Sequence, residues 1–201
     1  MEATFRALSK HGYADLRMRD IGEEFEMTRP LIHYYYGKHD LIAAFLEYVI
    51  EQYEGSVEVD ENDDLWAELD ARIDQCLFGP KFAGDFDHWD RMKVYHELFS
   101  RAQNDQRHRE IFNEHYSTIR GSITQVIERG IDEGVFREVD AENTAQFTAD
   151  AIHAARGRRL SLGHDEAPEQ ARRALDEFVV SSLAPSESSS RSKMAATNDR
   201  D

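Results

Sequence analysis

Residues 18–42, MRDIGEEFEMTRPLIHYYYGKHDLI, constrain the fold of this chain most strongly. Ile21 and Phe25 are four residues apart, so they share one face of a short first helix. Thr28 can cap a second helix, because its hydroxyl can accept a backbone N–H that the first turn leaves without a partner, and Pro30 is tolerated in that turn. The segment therefore predicts two short helices joined by a tight turn.

The second predicted helix, residues 28–36, has two different faces. Ile32 and Tyr35 lie on the side that we expect to be buried, whereas Arg29, His33 and Tyr34 point outward. Two short helices at a steep angle, the second with polar and aromatic groups on its outer face, form a helix-turn-helix, which lays one helix in the major groove of DNA. The segment thus predicts a DNA-binding head.

Spaced motifs in the first quarter of the chain resemble those of the TetR family of transcriptional regulators. The residues concerned are Gly12-Tyr13, Ile21-Gly22, Met27-Thr28, the aromatic run His33-Tyr34-Tyr35-Tyr36 and Lys38–x–x–Leu41. Several motifs at matching separations are more specific than one short motif. His33 replaces the first tyrosine of the aromatic run. The threonine that opens the first short helix is missing near Leu16, so we expect Asp15 to cap that helix instead.

The resemblance implies an all-α protein of about nine helices. Residues 1–46 would form a three-helix DNA-binding head, and residues 47–184 a helical bundle for ligand binding and dimerisation. The serine-rich residues 185–201 are predicted to be a disordered tail. By the same resemblance, the protein is a ligand-responsive repressor that binds an inverted-repeat operator as a homodimer. Effector binding would move the helix at 87–102 and, through the helix at 41–53, change the separation of the two heads.

The predicted DNA contacts divide into two groups. Phosphate contacts are expected from Arg17, Arg19, Thr28, Tyr34 and Lys38. Base edges would be read by Arg29, Leu31 and His33, since arginine prefers guanine and leucine contacts the thymine methyl.

Apolar residues recur at helical spacing through the rest of the chain. They predict helices at 2–10, 41–53, 65–78, 87–102, 107–134, 140–162 and 167–183. Gly121 and Gly130 fall inside the longest of these helices and indicate a bend or close packing there.

Two sets of body residues are candidates for binding. A mostly apolar ligand pocket with a few polar groups is expected among Phe82, Phe86, Trp89, Tyr95, His96, Phe99, Phe112 and Tyr116. The resemblance implies a dimer interface on the last two long helices, with candidates Phe147, Ile152, Arg156, Leu160, Leu175, Phe178 and Val179. For both sets the alternative is ordinary hydrophobic core within one chain. The sequence does not indicate which effector binds.

The charge of the chain is unusual for a DNA-binding protein. Its 201 residues carry a formal net charge of −16, but residues 1–46 contribute only −1. Five of the 24 cationic residues are lysine. An acidic, lysine-poor surface resembles proteins of salt-accumulating halophiles, in which salt screens self-repulsion. The absence of a membrane-spanning run and of a signal peptide in the sequence predicts a soluble, cytoplasmic protein.

An enzyme and a helical adaptor are the competing functions. Asp85/His88, Asp105/His108 and Asp150/His153 each place two ligating groups three residues apart, but no Glu-x-x-His, nucleophile elbow or phosphate-binding loop accompanies them. We therefore expect no catalytic residue, metal or cofactor, and we expect these pairs at the surface. An acidic ligand-binding or adaptor protein without DNA binding does not account for residues 28–36.

Overall fold

The computed structural model describes residues 1–25, 37–55, 64–79 and 87–185, with side chains up to Glu51 in the second of these ranges. Every regular element in these ranges is helical, which confirms the all-α prediction. The elements are α1 (Glu2–Asp15), α2 (Met18–Glu24), α3 (Lys38–Gly55), α4 (Leu65–Phe78), α5 (His88–Arg101), α6 (Gln106–Asp132), α7 (Ala141–Leu162), α8 (Ala167–Leu175), a π-helical turn (Asp176–Val180) and α9 (Ser181–Leu183). Within these ranges no helix has the length and apolar character needed to cross a bilayer.

Contacts divide the chain into two compact units. The first unit comprises Met1–Glu58, Phe78–Ser117 and Leu160–Gly163, and the second comprises Val59–Leu77, Thr118–Arg159 and His164–Asp201. The predicted domain boundaries at residues 46 and 184 are functional divisions, and they remain predictions.

One apolar cluster forms the core of the first unit. Phe5 from α1, Phe45 from α3, Leu98 from α5 and Phe112 from α6 are all buried in it. The ring centroids of Phe5 and Phe45 lie 6.3 Å apart. Helix α5 therefore packs into the same core as the first and third helices of the predicted DNA-binding head.

Several helix ends follow the signals in the sequence. Helix α4 ends at Phe78, and Gly79 has a φ of 84°, a left-handed conformation that glycine adopts without strain. At the start of α5, the Asp87 carboxylate accepts the backbone N–H of Trp89 at 3.0 Å. The predicted bounds of α4 and α5 are thus confirmed.

The beginning of the chain departs from prediction in two respects. Helical structure continues to Asp15 instead of stopping before Gly12, although Gly12 breaks the helix with φ 65° and ψ 162°. Asp15 does not cap α2. Instead, the Asp20 carboxylate reaches back and accepts the backbone N–H of Arg17 at 2.7 Å. Asp20, which lies inside the first turn of α2, thus caps this helix in place of Asp15.

The two glycines of α6 have different surroundings. A Cβ on Gly130 would lie 2.1 Å from the ring of Phe136, whereas a Cβ on Gly121 would meet nothing within 4 Å. The Phe136 ring packs edge-on against Trp66 at 4.5 Å. Close packing is therefore confirmed at Gly130 and is not the reason for a glycine at Gly121.

The last predicted helix, 167–183, is not a single α-helix. After α8, the N–H of Ser181 bonds to the carbonyl of Asp176, which is the five-residue spacing of a π turn. Leu175 and Val179 are buried, while Phe178 is 66% exposed. The predicted apolar face of this helix thus divides into buried residues and the exposed Phe178, whose place in a dimer interface stays a prediction.

Candidate DNA-binding head and effector pocket

The described part of the head consists of α1, α2 and the start of α3. The predicted contacts Thr28, Arg29, Leu31, His33 and Tyr34 lie outside the described residues. Arg17 and Arg19 are exposed at the beginning of α2, and Arg19 Nε lies 3.2 Å from Asp20 Oδ1. Both guanidinium groups are therefore accessible to a phosphate backbone.

Lys38, the remaining predicted phosphate contact, has partners within the chain. Its Nζ donates a 2.7 Å hydrogen bond to the backbone carbonyl of Tyr13 and lies 4.5 Å from the centroid of the Tyr13 ring. Burial lowers the pKa of Lys38, and the positive charge of Arg101 adds to this shift. The ammonium is thus partly withdrawn from water at the junction of α1 and α3.

Two histidines and one aspartate connect α3 with α6 in the first unit. Asp105 Oδ2 lies 3.3 Å from His39 Nδ1 and 3.2 Å from His108 Nδ1. His108 is fully buried, so the expectation that the Asp105/His108 pair lies at the surface is wrong. The i, i+3 spacing correctly predicted that Asp105 and His108 lie close together. The burial comes from tertiary packing, including an edge-on contact of His108 with the Tyr13 ring at 6.4 Å.

The predicted ligand pocket is described in part. Phe82 and Phe86 lie outside the described residues, Trp89 packs against His88 at 4.9 Å, and Tyr116 is half-buried. The ring centroid of Phe112 lies 4.9 Å from that of Tyr95 and 5.2 Å from that of Phe99, and both pairs of rings pack edge-on. The structure thus brings together three of the predicted residues on α5 and α6.

Two histidines border this group of rings. His96 lies parallel to Phe99 at a centroid distance of 6.5 Å, and its Nε2 lies 3.0 Å from Ser161 Oγ. His115 packs against Tyr95 at 5.7 Å and was missed by the sequence analysis, although it is three residues from Phe112 on the same helical face. We refer to Tyr95, His96, Phe99, Phe112 and His115 as the aromatic cluster.

An apolar depression adjoins the aromatic cluster within the first unit. It is lined by Phe5, Phe45, Val49 and Val94, among others, and Arg91 is the charged residue beside it. Tyr95 lines this depression as well as taking part in the aromatic cluster. Tyr95 therefore borders a surface that α1 and α3 also form.

The predicted interface residues differ in exposure. Ile152, Arg156, Leu175 and Val179 are buried within the chain, and Leu160 is half-buried. Phe147 on α7 is 58% exposed, and Phe178 in the π-helical turn is also exposed. Two large aromatic side chains of the second unit thus present apolar surface to solvent.

No group of three or more histidine, cysteine, aspartate or glutamate side chains is suited to hold a metal ion in the described ranges. The features that these ranges do offer are the exposed Arg17 and Arg19, the aromatic cluster and the exposed Phe147 and Phe178.

Comparison with known proteins identifies the family. A profile described as "Bacterial regulatory proteins, tetR family" matches residues 1–45, and one described as "BetI-type transcriptional repressor, C-terminal" matches residues 81–184. A TetR transcription regulator from Haloarcula marismortui is 34% identical over 92% of this chain and 95% of that chain, with a TM-score of 0.82. The chain belongs to the TetR family of transcriptional regulators.

More distant structures share the TetR fold. One is a protein from Saccharomonospora viridis described as a transcriptional regulator and solved in complex with choline; it is 21% identical, with 92% and 95% of the two chains covered and a TM-score of 0.79. Another is FadR from Bacillus subtilis in complex with stearoyl-CoA, which is 16% identical, with 90% and 96% covered and a TM-score of 0.63. The chain matches none of the curated proteins with which it was compared.

These matches confirm the predicted family and its regulatory function. The individual DNA-contacting, pocket and interface residues of this TetR regulator remain predictions. Its α1, α2 and the start of α3 fall within the segment matched by the N-terminal family profile, whereas the aromatic cluster falls within the BetI-type segment.

The burial of His108 predicts a loss of stability in mild acid. Burial lowers the pKa of His108; Asp105 opposes this shift, and His39, Arg107 and Arg101 reinforce it. The ordinary pKa of histidine is about 6.5. Below that pH the unfolded chain binds a proton at His108, whereas the folded chain, in which the pKa is lowered, does not yet bind one. The free energy of unfolding should therefore decrease as the pH falls below about 6.5.

Denaturant unfolding at several pH values tests this expectation. His108→Gln should show a smaller decrease than the wild type, with some decrease left because burial also lowers the pKa of His96. His164→Gln, at an exposed position, should behave like the wild type. An unchanged pH dependence in His108→Gln would contradict the assignment.

Proposed function

We propose that this TetR-family regulator binds an inverted-repeat DNA operator as a homodimer and that an effector in the aromatic cluster releases it. The match of residues 1–45 to the family profile is the observation that carries the proposal. We place the protein in the cytoplasm, because a regulator of transcription acts where the chromosome lies. That it has no catalytic activity stays a prediction.

Two kinds of contact would hold the operator. Arg17 and Arg19, exposed at the start of α2, would bind phosphates. Arg29, Leu31 and His33 would read base edges, and Thr28 and Tyr34 would bind phosphates beside them. Phosphate contacts supply affinity that falls with salt, whereas base contacts supply sequence discrimination. The acidic composition and the Haloarcula neighbour favour a halophilic host. At the high salt concentration of such a host, base contacts would supply the larger share of the operator affinity.

Exposed aromatic side chains support a homodimer through the second unit. Phe147 lies on α7 in a stripe of exposed residues that includes Asp150, Ala154 and Arg158. A small residue such as Ala154 in this stripe allows a partner helix to approach closely. Burying one phenylalanine side chain contributes roughly 1.5–3 kcal/mol. A two-fold dimer would bury Phe147 and Phe178 twice over and place two heads on successive turns of DNA.

The aromatic cluster suits a cationic effector. Aromatic ring faces attract cations, and quaternary ammonium groups are recognised in this way. Tyr95, Phe99 and Phe112 supply three contiguous rings on two helices. The choline complex of the Saccharomonospora viridis protein favours the same ligand class. We infer that a small quaternary ammonium compound is the effector.

The DNA-binding proposal predicts protection of specific operators. Mapping of bound genomic fragments should yield inverted repeats with half-sites about one helical turn apart. Arg29→Ala should weaken operator binding by ~1–3 kcal/mol and reduce the sequence specificity at one operator position. Arg17→Ala should weaken binding to all DNA sequences equally. Unchanged specificity in Arg29→Ala would contradict its base-reading role. Failure of the wild type to bind duplex DNA at any salt concentration would favour the adaptor alternative.

The dimer proposal predicts that a charge at Phe147 separates the protomers. Phe147→Glu should be monomeric at concentrations at which the wild type is dimeric, because the carboxylate would have to be buried in the interface. Gln125→Glu adds the same charge at an exposed position of α6 and should remain dimeric. Sedimentation velocity measures the mass of each species. A Phe147→Glu protein that is still a dimer would place the interface elsewhere.

The effector proposal predicts choline binding that depends on Tyr95. Calorimetric titration of the wild type with choline should give heat that its neutral isostere 3,3-dimethylbutan-1-ol does not give. Tyr95→Ala should bind choline about tenfold more weakly, and Tyr95→Phe, which keeps the ring, should bind nearly as the wild type does. Equal affinity for choline and the isostere would argue against cation recognition.

A further inference from the structure

The break at Gly12 begins a separate turn at the end of α1. Gly12 leaves the helical region of φ and ψ, and its carbonyl accepts the N–H of Leu16 at 3.1 Å. Leu16 is buried in the apolar core, and α2 begins two residues later at Met18. We call residues 12–16 the linking turn, because its path determines where α2, the first helix of the predicted helix-turn-helix, begins.

The N–H of Tyr13 lies at the start of the linking turn and has no helical partner. In an unbroken helix it would donate to the carbonyl of Ser9. A partly buried N–H without a partner is costly, and the first N–H groups of a helical turn find none within the turn. Glu97 Oε1 on α5 accepts this N–H at 2.7 Å. The carboxylate makes this bond strong, because hydrogen bonds with one ionised partner are about twice as strong as neutral ones.

A second contact joins α5 to the same residue. The Arg101 guanidinium lies 4.2 Å from the centroid of the Tyr13 ring, within the range of a cation–π contact. Glu97 and Arg101 are four residues apart, so they share one face of α5. Helix α5 thus holds Tyr13 both by its backbone and by its ring.

The aromatic cluster contacts the opposite face of α5. Tyr95 and Phe99 are each two residues from Glu97, and two residues turn an α-helix by roughly 200°. Both rings pack against Phe112 of α6, and all of these residues belong to the first unit. An effector among the rings would therefore act on one side of α5, while the linking turn is held on the other side.

We propose that Glu97 is a positioning residue, whose carboxylate holds the linking turn and thereby places α2 for DNA binding. A movement of α5 on effector binding displaces the linking turn through this hydrogen bond. This route runs through α1 and is distinct from the route through the helix at 41–53 that the family resemblance implies. The inference rests on the proposed operator and effector binding, and Lys38 remains a predicted phosphate contact.

The sign of the change in operator affinity separates positioning from charge. If only its charge mattered, removal of a carboxylate would strengthen binding, because the DNA backbone is negative. Glu97→Ala should instead weaken binding to the mapped operator about tenfold. Glu97→Gln removes the same charge but keeps an oxygen that can accept the N–H of Tyr13, and it should bind within about threefold of the wild type. Unchanged or tighter binding by Glu97→Ala, or equal losses in both variants, would overturn the proposal.

Glu128→Ala is the matched control for this experiment. It makes the same substitution at an exposed position of α6 and should not weaken operator binding. An equal loss in Glu128→Ala would show that the loss in Glu97→Ala does not come from the linking turn, and it would overturn the positioning role.

Amide hydrogen exchange tests the contact without DNA. In Glu97→Ala the Tyr13 amide should exchange about tenfold faster than in the wild type, whereas in Glu97→Gln it should stay largely protected. The amide of Leu8, which lies in α1 before the break and is almost fully buried, should keep its wild-type rate in both variants. Faster exchange at Leu8 as well would contradict a local effect. If the exchange rates are as expected but the wild type ignores duplex DNA, the proposed function is wrong and the positioning role falls with it, while the contact stands.

Choline tests the coupling between effector and operator. The release factor is the operator affinity without choline divided by the affinity at saturating choline. Glu97→Ala should bind choline nearly as the wild type does, because Glu97 faces away from the rings, but its release factor should be about threefold smaller. An unchanged release factor would refute the route through α1. A wild type that choline does not release would refute the effector proposal and this route together, and operator affinity and exchange at Tyr13 would still decide the positioning role.

Discussion

A single apolar core joins the helices of the predicted DNA-binding head to a helix of the predicted effector pocket, and the rest of the first unit depends on it. Leu8, Phe45 and Leu98 come from α1, α3 and α5, and all three are almost fully buried. A change in the packing of α5 therefore alters the surroundings of α1 and α3 directly. Because close-packed interiors transmit small displacements, a displacement of α5 would reach α1 and α3 through this core.

The backbone of Tyr13 donates to Glu97 Oε1 and accepts from Lys38 Nζ, and these two hydrogen bonds add direction to the packing of the apolar core. Hydrophobic contact fixes that helices pack, but hydrogen bonds and ring contacts fix how they are aligned along one another. The break at Gly12 creates two backbone groups in need of partners, and the family motif of a glycine followed by an aromatic residue thereby acquires a physical reason in this chain. Glu97 approaches Gly12 closely too, since a Cβ there would lie 3.4 Å from its carboxylate. That separation is an ordinary van der Waals contact, so the positive φ of 65°, and not a lack of space, is the reason for a glycine at this position.

Local features of the structure followed from the sequence, and long-range features did not. The bounds of α4 and α5 could be predicted because apolar spacing, Gly79 and Asp87 are signals that act within one turn. The cap of α2 was predicted wrongly, because Asp15 and Asp20 both lie close in sequence to the start of this helix. The path of the backbone after Gly12 decides which of the two carboxylates accepts the N–H of Arg17. The π turn at Asp176–Val180, which contains the exposed Phe178, has no distinct sequence signal.

The candidate sites show the same division. Tyr95, Phe99 and Phe112 were recognised because aromatic residues recur at helical spacing, whereas the burial of His108 depends on residues far away in sequence. The partners of Lys38 likewise come from 25 residues before it in sequence. The motif indicated that Lys38 matters, and the fold indicates to which atoms it binds.

In the second unit, several of the acidic side chains form ion pairs with arginines. Arg172 binds Asp70 at 2.7 Å and Asp74 at 2.5 Å, and also contacts Asp176. The nearly buried carboxylate of Glu68 is paired with Arg72 at 3.2 Å and with Arg129. A lysine ammonium is compact and strongly hydrated, whereas a planar guanidinium offers five donors and can serve several carboxylates at once. Arg172 thus serves three carboxylates, whereas Glu68 shares its carboxylate between two guanidinium groups, and such partly buried pairs are screened by salt far less than exposed charges are.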